Sequence, residues 1–330
     1  MSSLGLSEHV DAGLEARVRA GFEAVEKRLV SCAQSDAPFV TEAALHLINA
    51  GGKRFRPMLV MVSAEFGDPA AEGVVSAAVG VELTHLASLY HDDVMDEADL
   101  RRGADSANAR WDNTVAILTG DFLFAQASKV IADLGPEAVR IQSQTFARLV
   151  EGQVRETVGP QPGEAMLDHY LRVVADKTGA LISTSARYGA LLAGAEPRVV
   201  EVLTEFGERI GTAFQLSDDV IDVTSDDTGK TPGTDLREGV PTLPVLIAQA
   251  STDPADARLV QLLSDDADLS DDASLAEALK LLRGHRAIDD ARATVTQHAD
   301  AARALLEGVP AGPARDSLAS LCDLVIHRTA

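Results

Sequence analysis

A chain of 330 residues carrying a net charge of −22 has too little basic surface to favour nucleic acid or attraction to anionic lipid. Its only cysteines, Cys32 and Cys322, are too few for a disulfide framework or a cysteine zinc site and are expected as buried thiols of a reducing cytosol. Residues 1–15 show no basic stretch leading into an apolar core, and no run of about 18 uncharged apolar residues occurs, so a cytoplasmic protein without a transmembrane segment is expected.

Apolar residues recur three and four apart with little alternation, which predicts an all-α chain. Helices are expected over residues 8–31, 40–48 and 57–66, then a long one over 70–96. Polar residues 99–109 interrupt the pattern. Further helices are expected over 114–132, 138–158, 165–192 and 198–223. Residues 224–240, rich in Asp, Gly and Thr, read as a loop. Shorter helices over 243–326, punctuated by Pro254, Pro310 and Pro313, close the bundle. No Ser/Gly/Pro-rich linker or low-complexity run divides the chain, so 1–330 is expected to be a single domain.

Two Asp-Asp-x-x-Asp runs stand out, Asp92-Asp93-Val94-Met95-Asp96 and Asp218-Asp219-Val220-Ile221-Asp222, separated by 218 minus 92, or 126, positions. Helical spacing allows all three carboxylates of each run to point into one space. A charge run is ordinarily a solvated face, but here the flanks 74–90 and 206–223 are largely apolar and place both runs at the ends of core helices. Buried carboxylate trios need a counter-charge. Mg²⁺ takes carboxylate oxygens and reaches substrate through phosphate oxygens, so two such clusters facing each other would clamp a diphosphate.

Basic residues are scarce, and their clustering is informative. Gly51-Gly52-Lys53-Arg54-Phe55-Arg56-Pro57 places three cations on a glycine turn at a helix start, where free N–H groups also favour an anion. A solvated helix-entry turn is an equal alternative on these residues alone. Arg101-Arg102-Gly103 follows the first Asp run closely enough to reach the same phosphates, and guanidinium suits bidentate contact. His85 precedes Asp92 by two turns, about 10 Å along one face. A lone histidine on an apolar helix is more often a satisfied core residue. Asp226-Asp227-Thr228-Gly229 hints at a calcium loop, but Thr224 stands where such a loop needs its first Asp.

The set Gly-Gly-Lys-Arg-Phe-Arg-Pro, His-Asp-Asp-Val-Met-Asp-Glu, Arg-Arg-Gly, Glu151-Gly152-Gln153, Lys177-Thr178-Gly179, Phe214-Gln215-Leu216-Ser217-Asp218-Asp219 and 233–239 (Gly-Thr-Asp-Leu-Arg-Glu-Gly) resembles the trans-polyprenyl diphosphate synthases, in that family's order across roughly residues 45–244. The resemblance implies the isoprenoid synthase fold, an antiparallel helical bundle around one deep cavity, commonly homodimeric. It implies head-to-tail addition of isopentenyl diphosphate to an allylic diphosphate such as farnesyl diphosphate, with about three Mg²⁺ ions. Carried over, Asp92 and Asp96, with Asp93 supporting, hold two ions, and Asp218, with Asp219 and Asp222 nearby, holds a third. Arg101, Lys177 and Lys230 are expected on the allylic diphosphate, and Lys53, Arg56, His85 and Arg102 on isopentenyl diphosphate. Thr178 and Gln215 would present oxygen dipoles to the allylic cation. Val240 stands where many relatives carry a second lysine, so one diphosphate contact is expected to come from Lys230 and Arg237. Gln153 and Glu156 either line the metal site or pair inside a helix couple.

A class I terpene cyclase is disfavoured by the second Asp-Asp-x-x-Asp run and the low aromatic content of 4%. A non-catalytic partner subunit is disfavoured because all six Asp residues are kept. For product length the resemblance points to the helix before the first Asp run. Ala87, Ser88 and Thr84 are small where bulky residues would floor the tunnel, so a long product of about C30 to C50 is expected, with a respiratory quinone side chain as its use. Geranylgeranyl diphosphate is the alternative product. Phe122, Leu123 and Phe124 are unranked candidates for the far end.

Overall fold

A computed structural model of the chain describes residues 11–224, 233–264 and 267–329. Helix dominates, as the apolar period predicts. Asp11 caps α1 (Ala12–Cys32) by accepting from Leu14 N–H at 2.9 Å. Next come α2 (Pro38–Asn49), α3 (Phe55–Ala64) and α4 (Glu72–Met95). α3 is buried along almost its whole length, and α4 from Val74 to Ala87 is nearly all core.

The polar interruption is a hairpin rather than an open loop. β1 (Leu100–Arg101) pairs antiparallel with β2 (Ala104–Asp105), and Arg102 and Gly103 between them have φ of 55° and 77°. Two consecutive positive φ values match the twist that a two-residue hairpin requires. There follow α5 (Ala107–Arg110), α6 (Asn113–Ala132) and α7 (Pro136–Val158). α4 and α6 are long and apolar enough, by length and composition, to cross a bilayer; of their most apolar windows, 72% and 39% respectively are buried inside the protein.

The helix expected over 165–192 is in fact three pieces: α8 (Met166–Val174), a π-helical turn Ala175–Gly179, and α9 (Ala180–Leu192). The wider turn carries Lys177 and Thr178, and such bulges concentrate at functional positions. α10 (Pro197–Thr224) brings the second Asp run. The remainder is α11 (Thr234–Arg237), α12 (Leu243–Gln249), α13 (Ala257–Leu262), α14 (Asp272–Arg283), α15 (Ala287–Leu305) and α16 (Pro313–His327).

Backbone contacts group the chain into two compact units. The first comprises Met1–Ala147, Leu181–Gly207 and Glu307–Leu318; the second comprises Arg148–Ala180, Glu208–Leu306 and Ala319–Ala330. In the first, α4 packs against α1, α3 and α6. A Cβ on Gly120 would lie 3.1 Å from the Ala87 carbonyl and closer still to the His91 ring, so only glycine lets α6 approach α4 this near the first Asp run. In the second unit Val223, Val245, Leu262, Leu275 and Leu282 share a core that fixes the end of α10. Cys322 is buried and Cys32 half-buried, both as free thiols, and burial pushes the Cys322 thiol up to about 12.

Candidate active site

α4 delivers the first Asp run at its C-terminal end. Asp92 is half-buried; Asp96, just past the last helical residue, is exposed and its N–H bonds the Asp92 carbonyl at 2.8 Å. Asp93 lies a third of a turn round from Asp92 and is fully buried. There its Oδ1 accepts from Arg101 Nε at 2.5 Å, while its Oδ2 has no hydrogen-bond partner. Burial, only partly offset by Arg101, raises the Asp93 carboxyl above the usual range. The hairpin is what turns Arg101 back. Ser106 N–H bonds the Asp99 carbonyl at 2.9 Å and Ser106 Oγ the Ala98 carbonyl at 2.5 Å, leaving Arg101 Nη2 3.9 Å from Asp96.

The same hairpin aims Arg102 at the glycine turn. Its Nη1 donates to the carbonyls of Gly51 and Leu47, the latter at 3.2 Å. Arg56, in the first turn of α3, has a buried Nε without a partner. Burial lowers its guanidinium to about 10, with Glu82 opposing and Arg102 adding to the shift. His85 on α4 is held well below the usual imidazole range by burial and then by Arg56, Arg102, Arg101 and Arg54. Thus the structure brings Arg56, His85 and Arg102 together, and His85 is a neutral ring among cations. Lys53 is exposed on the same turn. Glu82, which sequence reasoning left out, and Arg54, which it counted only among the cations of the turn, prove to be its framework. A charged residue in the middle of an apolar helix was the available signal for Glu82.

In the second unit the π turn supports Lys177, whose Nζ donates to Glu156 Oε2 at 2.5 Å. A Cβ on Gly152 would sit 2.9 Å from Lys177 N, so the Glu151-Gly152-Gln153 motif is the place where α7 presses its backbone on that turn. Glu156 is therefore a partner of Lys177, and Gln153 Oε1 is buried with no hydrogen-bond partner. Thr178 Oγ1 donates to Gln215 Oε1 at 3.1 Å, and Gln215 Nε2 donates to Asp219 Oδ1 at 3.2 Å. Asp219 Oδ2 accepts from Tyr170 OH and, at 3.0 Å, from Leu243 N–H. Burial lifts the Asp219 carboxyl to about 7 against the pull of these donors.

Asp218 and Asp222 are half-buried on α10. Asp218 Oδ1 accepts from Arg328, whose guanidinium stands 4.6 Å from the Phe214 ring centroid and reaches Ser217 Oγ at 3.4 Å. Tyr170 and Arg328 had no signal in the sequence, since both act across long chain separations. Lys230 lies outside the described residues.

The middle carboxylate of each run is held differently from the outer two. Successive helical residues are rotated by about 100°, and the middle Asp of each run is turned to protein donors inside the fold. Among the described residues no cluster of three or more His, Cys, Asp or Glu forms a ready metal cage. The donor set nonetheless fits a hard divalent ion that keeps water and takes phosphate oxygens, because the outer Asp carboxylates remain less buried and offer oxygen alone.

The chain-length candidates are deeper on α4. Ala87 is completely buried and Ser88 half-buried, with its Oγ bonded to the His85 carbonyl at 2.9 Å. Thr84 is buried, donates to Gly80 O at 2.8 Å and accepts from Gln142 Nε2 at 2.6 Å.

A family model described as polyprenyl synthetase matches residues 37–282, which include both Asp runs and the basic turn. The chain belongs to the polyprenyl synthetase family. Among similar proteins, a nonaprenyl diphosphate synthase of Mycobacterium tuberculosis is 48% identical over 96% of this chain and 95% of its own. A heptaprenyl diphosphate synthase component 2 of Geobacillus stearothermophilus is 38% identical over 90% and 92%. The crystal structure of a geranylgeranyl pyrophosphate synthase of Corynebacterium glutamicum, complexed with calcium and isoprenyl diphosphate, superposes with a TM-score of 0.88 at 43% identity, covering 97% of this chain and 98% of that one. The all-α isoprenoid synthase fold is thereby established, and the polyprenyl synthetases are prenyltransferases.

Proposed function

We propose that this chain is an Mg²⁺-dependent trans-polyprenyl diphosphate synthase that adds isopentenyl diphosphate repeatedly to an allylic primer such as farnesyl diphosphate. The observation that carries the reading is that Arg56 and Arg102 meet at the glycine turn beside His85, which precedes Asp92 by two turns of α4, an anion site next to a carboxylate site in a chain otherwise short of cations. Asp92, Asp96, Asp218 and Asp222 would hold the Mg²⁺ ions, with Asp93 and Asp219 positioning their neighbours from inside the fold. Bound there, the metal neutralises the diphosphate leaving group. The complex of the Corynebacterium glutamicum enzyme with calcium and isoprenyl diphosphate supports use of a divalent ion.

The chain's own groups supply the rest. Arg101 and Lys177 bind the allylic diphosphate, and Lys53, Arg56 and Arg102 bind isopentenyl diphosphate, with neutral His85 donating a hydrogen bond. As the allylic C–O bond breaks, Thr178 and Gln215 present oxygen atoms to the cation, and their chain to Asp219 and Tyr170 fixes those oxygens beforehand. The isopentenyl double bond supplies the electron pair for the new C–C bond, and the proton lost from that unit passes to the released diphosphate.

Small residues at Ala87, Ser88 and Thr84 favour a product longer than geranylgeranyl, in keeping with the nonaprenyl and heptaprenyl relatives, and a quinone side chain is the use such a length suits. Homodimerisation is supported by Ile117 and Leu118, exposed on α6 at 43% and 62%. A cytoplasmic location is part of the same proposal. The test is incubation of the purified chain with Mg²⁺ and both diphosphates. Formation of a butanol-extractable prenyl diphosphate is expected; none, in a folded preparation given a range of primers, refutes the reading or shows that a second component is required, which adding such a component would separate.

A further inference from the structure

α4 is an apolar helix with one carboxylate at its centre, and the carboxylate faces cations. Glu82 is 1% exposed and sits one turn before His85. Its Oε1 accepts from Arg54 Nη1 at 2.9 Å and lies 4.0 Å from Arg102 Nη2. Arg54 occupies the left-handed region with φ of 46°, a costly conformation for a residue that carries a Cβ, and five hydrogen bonds hold it there. Two run to Glu26, one to Glu82, and one each to the carbonyls of Gly51 and Ile48. Arg102, also at positive φ, grips that same Gly51 carbonyl. The glycine turn is therefore tied down by two guanidiniums that would repel each other, and Glu82 is the buried anion next to both.

We propose that Glu82 is a positioning residue for isopentenyl diphosphate: through Arg54 and Arg102 it fixes the Gly51–Arg56 turn, so that Arg56, Arg102 and His85 are set for the diphosphate before it arrives. The inference rests on the proposed synthase reading. Two physical effects oppose each other, and their balance gives the sign of the test. Glu82→Gln removes a negative charge beside an anion site, which by Coulomb attraction alone tightens diphosphate binding. Loss of the hub leaves Arg54 and Arg102 with only the more exposed Glu26 as a shared counter-charge and loosens the turn, which weakens binding. A charge-assisted contact is the stronger term at this burial, so a net weakening of about tenfold is expected.

The experiment uses the full chain. Titration calorimetry with isopentenyl diphosphate alone is combined with steady-state kinetics in which each substrate is varied, on wild type, Glu82→Gln and Glu82→Asp, each with a melting curve. The expected result is a KM and Kd for isopentenyl diphosphate raised about tenfold in Glu82→Gln. The KM for the allylic substrate and kcat should stay near wild type, and Glu82→Asp should recover part of the affinity. Unchanged or tighter isopentenyl diphosphate binding by folded Glu82→Gln overturns the proposal, as does an equal rise in both KM values. If Glu82→Gln fails to fold, Arg54→Lys takes its place, keeping the charge and losing the fork to Glu26 and Glu82; unchanged affinity there overturns the proposal equally. Failure of the wild-type chain to bind isopentenyl diphosphate would instead refute the functional reading.

Discussion

Acidification should cost this protein stability through one identifiable ring. His85 stands among Arg54, Arg56, Arg101 and Arg102, and burial with these cations holds its imidazole well below the unfolded value of 6.5. In the unfolded chain the ring takes a proton as pH falls through about 6.5; in the folded chain it does not. Its contribution is therefore flat above that pH and becomes increasingly destabilising below it, down to the depressed folded value. One pH unit below the unfolded pKa amounts to at most about 1.4 kcal/mol. Urea unfolding of metal-free wild type and His85→Gln at pH 7.5 and 5.5 isolates this effect, because the carboxylates are common to both proteins. The difference in stability between them should shift by about 1 kcal/mol in favour of the variant at the lower pH. An identical loss in both would show that the ring titrates normally and that the four guanidiniums do not act on it.

Chelation of divalent ions should abolish activity, and Asp92→Ala or Asp218→Ala should lower turnover by orders of magnitude, the latter with some loss of stability because it also removes the Arg328 pair; full activity in excess chelator would refute the metal role. At pH 8, where Asp219 is mostly ionised, Tyr170→Phe should lower unfolding stability by about 1.5–3 kcal/mol, the worth of a hydrogen bond to a charged acceptor, and an unchanged urea midpoint would show that Asp219 does not depend on it. Ser88→Phe should shorten the product while sparing the first condensation, whereas Ala87→Phe, at a completely buried position, should cost about 1–3 kcal/mol by overpacking; a stable Ser88→Phe variant making wild-type-length product would remove that face of α4 from the tunnel.

The sequence made the chemistry of this chain more legible than its geometry. Helix period and the two Asp runs were local features, readable because a helix repeats over three and four residues. The same rule does not supply the surroundings of Asp93 and Asp219, which depend on donors from elsewhere: Arg101 turned back by a hairpin, and Tyr170 and the Leu243 N–H. The break in the 165–192 helix was invisible because a π turn keeps helical composition and changes only the hydrogen-bond register. Arg56, His85 and Arg102 could be named individually, but Arg54 and Glu82 could not be paired from residues 28 apart. Arg328 meets Asp218 across 110 positions, a pairing that no local pattern encodes.

The central claim is tested most directly by mass analysis of the dephosphorylated product after the purified chain has consumed isopentenyl diphosphate with a farnesyl primer and Mg²⁺. The account predicts one all-trans series longer than geranylgeraniol, with one diphosphate released for each isopentenyl unit added. A product that stops at geranylgeraniol would contradict the long-chain assignment, and a cyclised hydrocarbon with no incorporation of isopentenyl units would contradict the synthase reading itself.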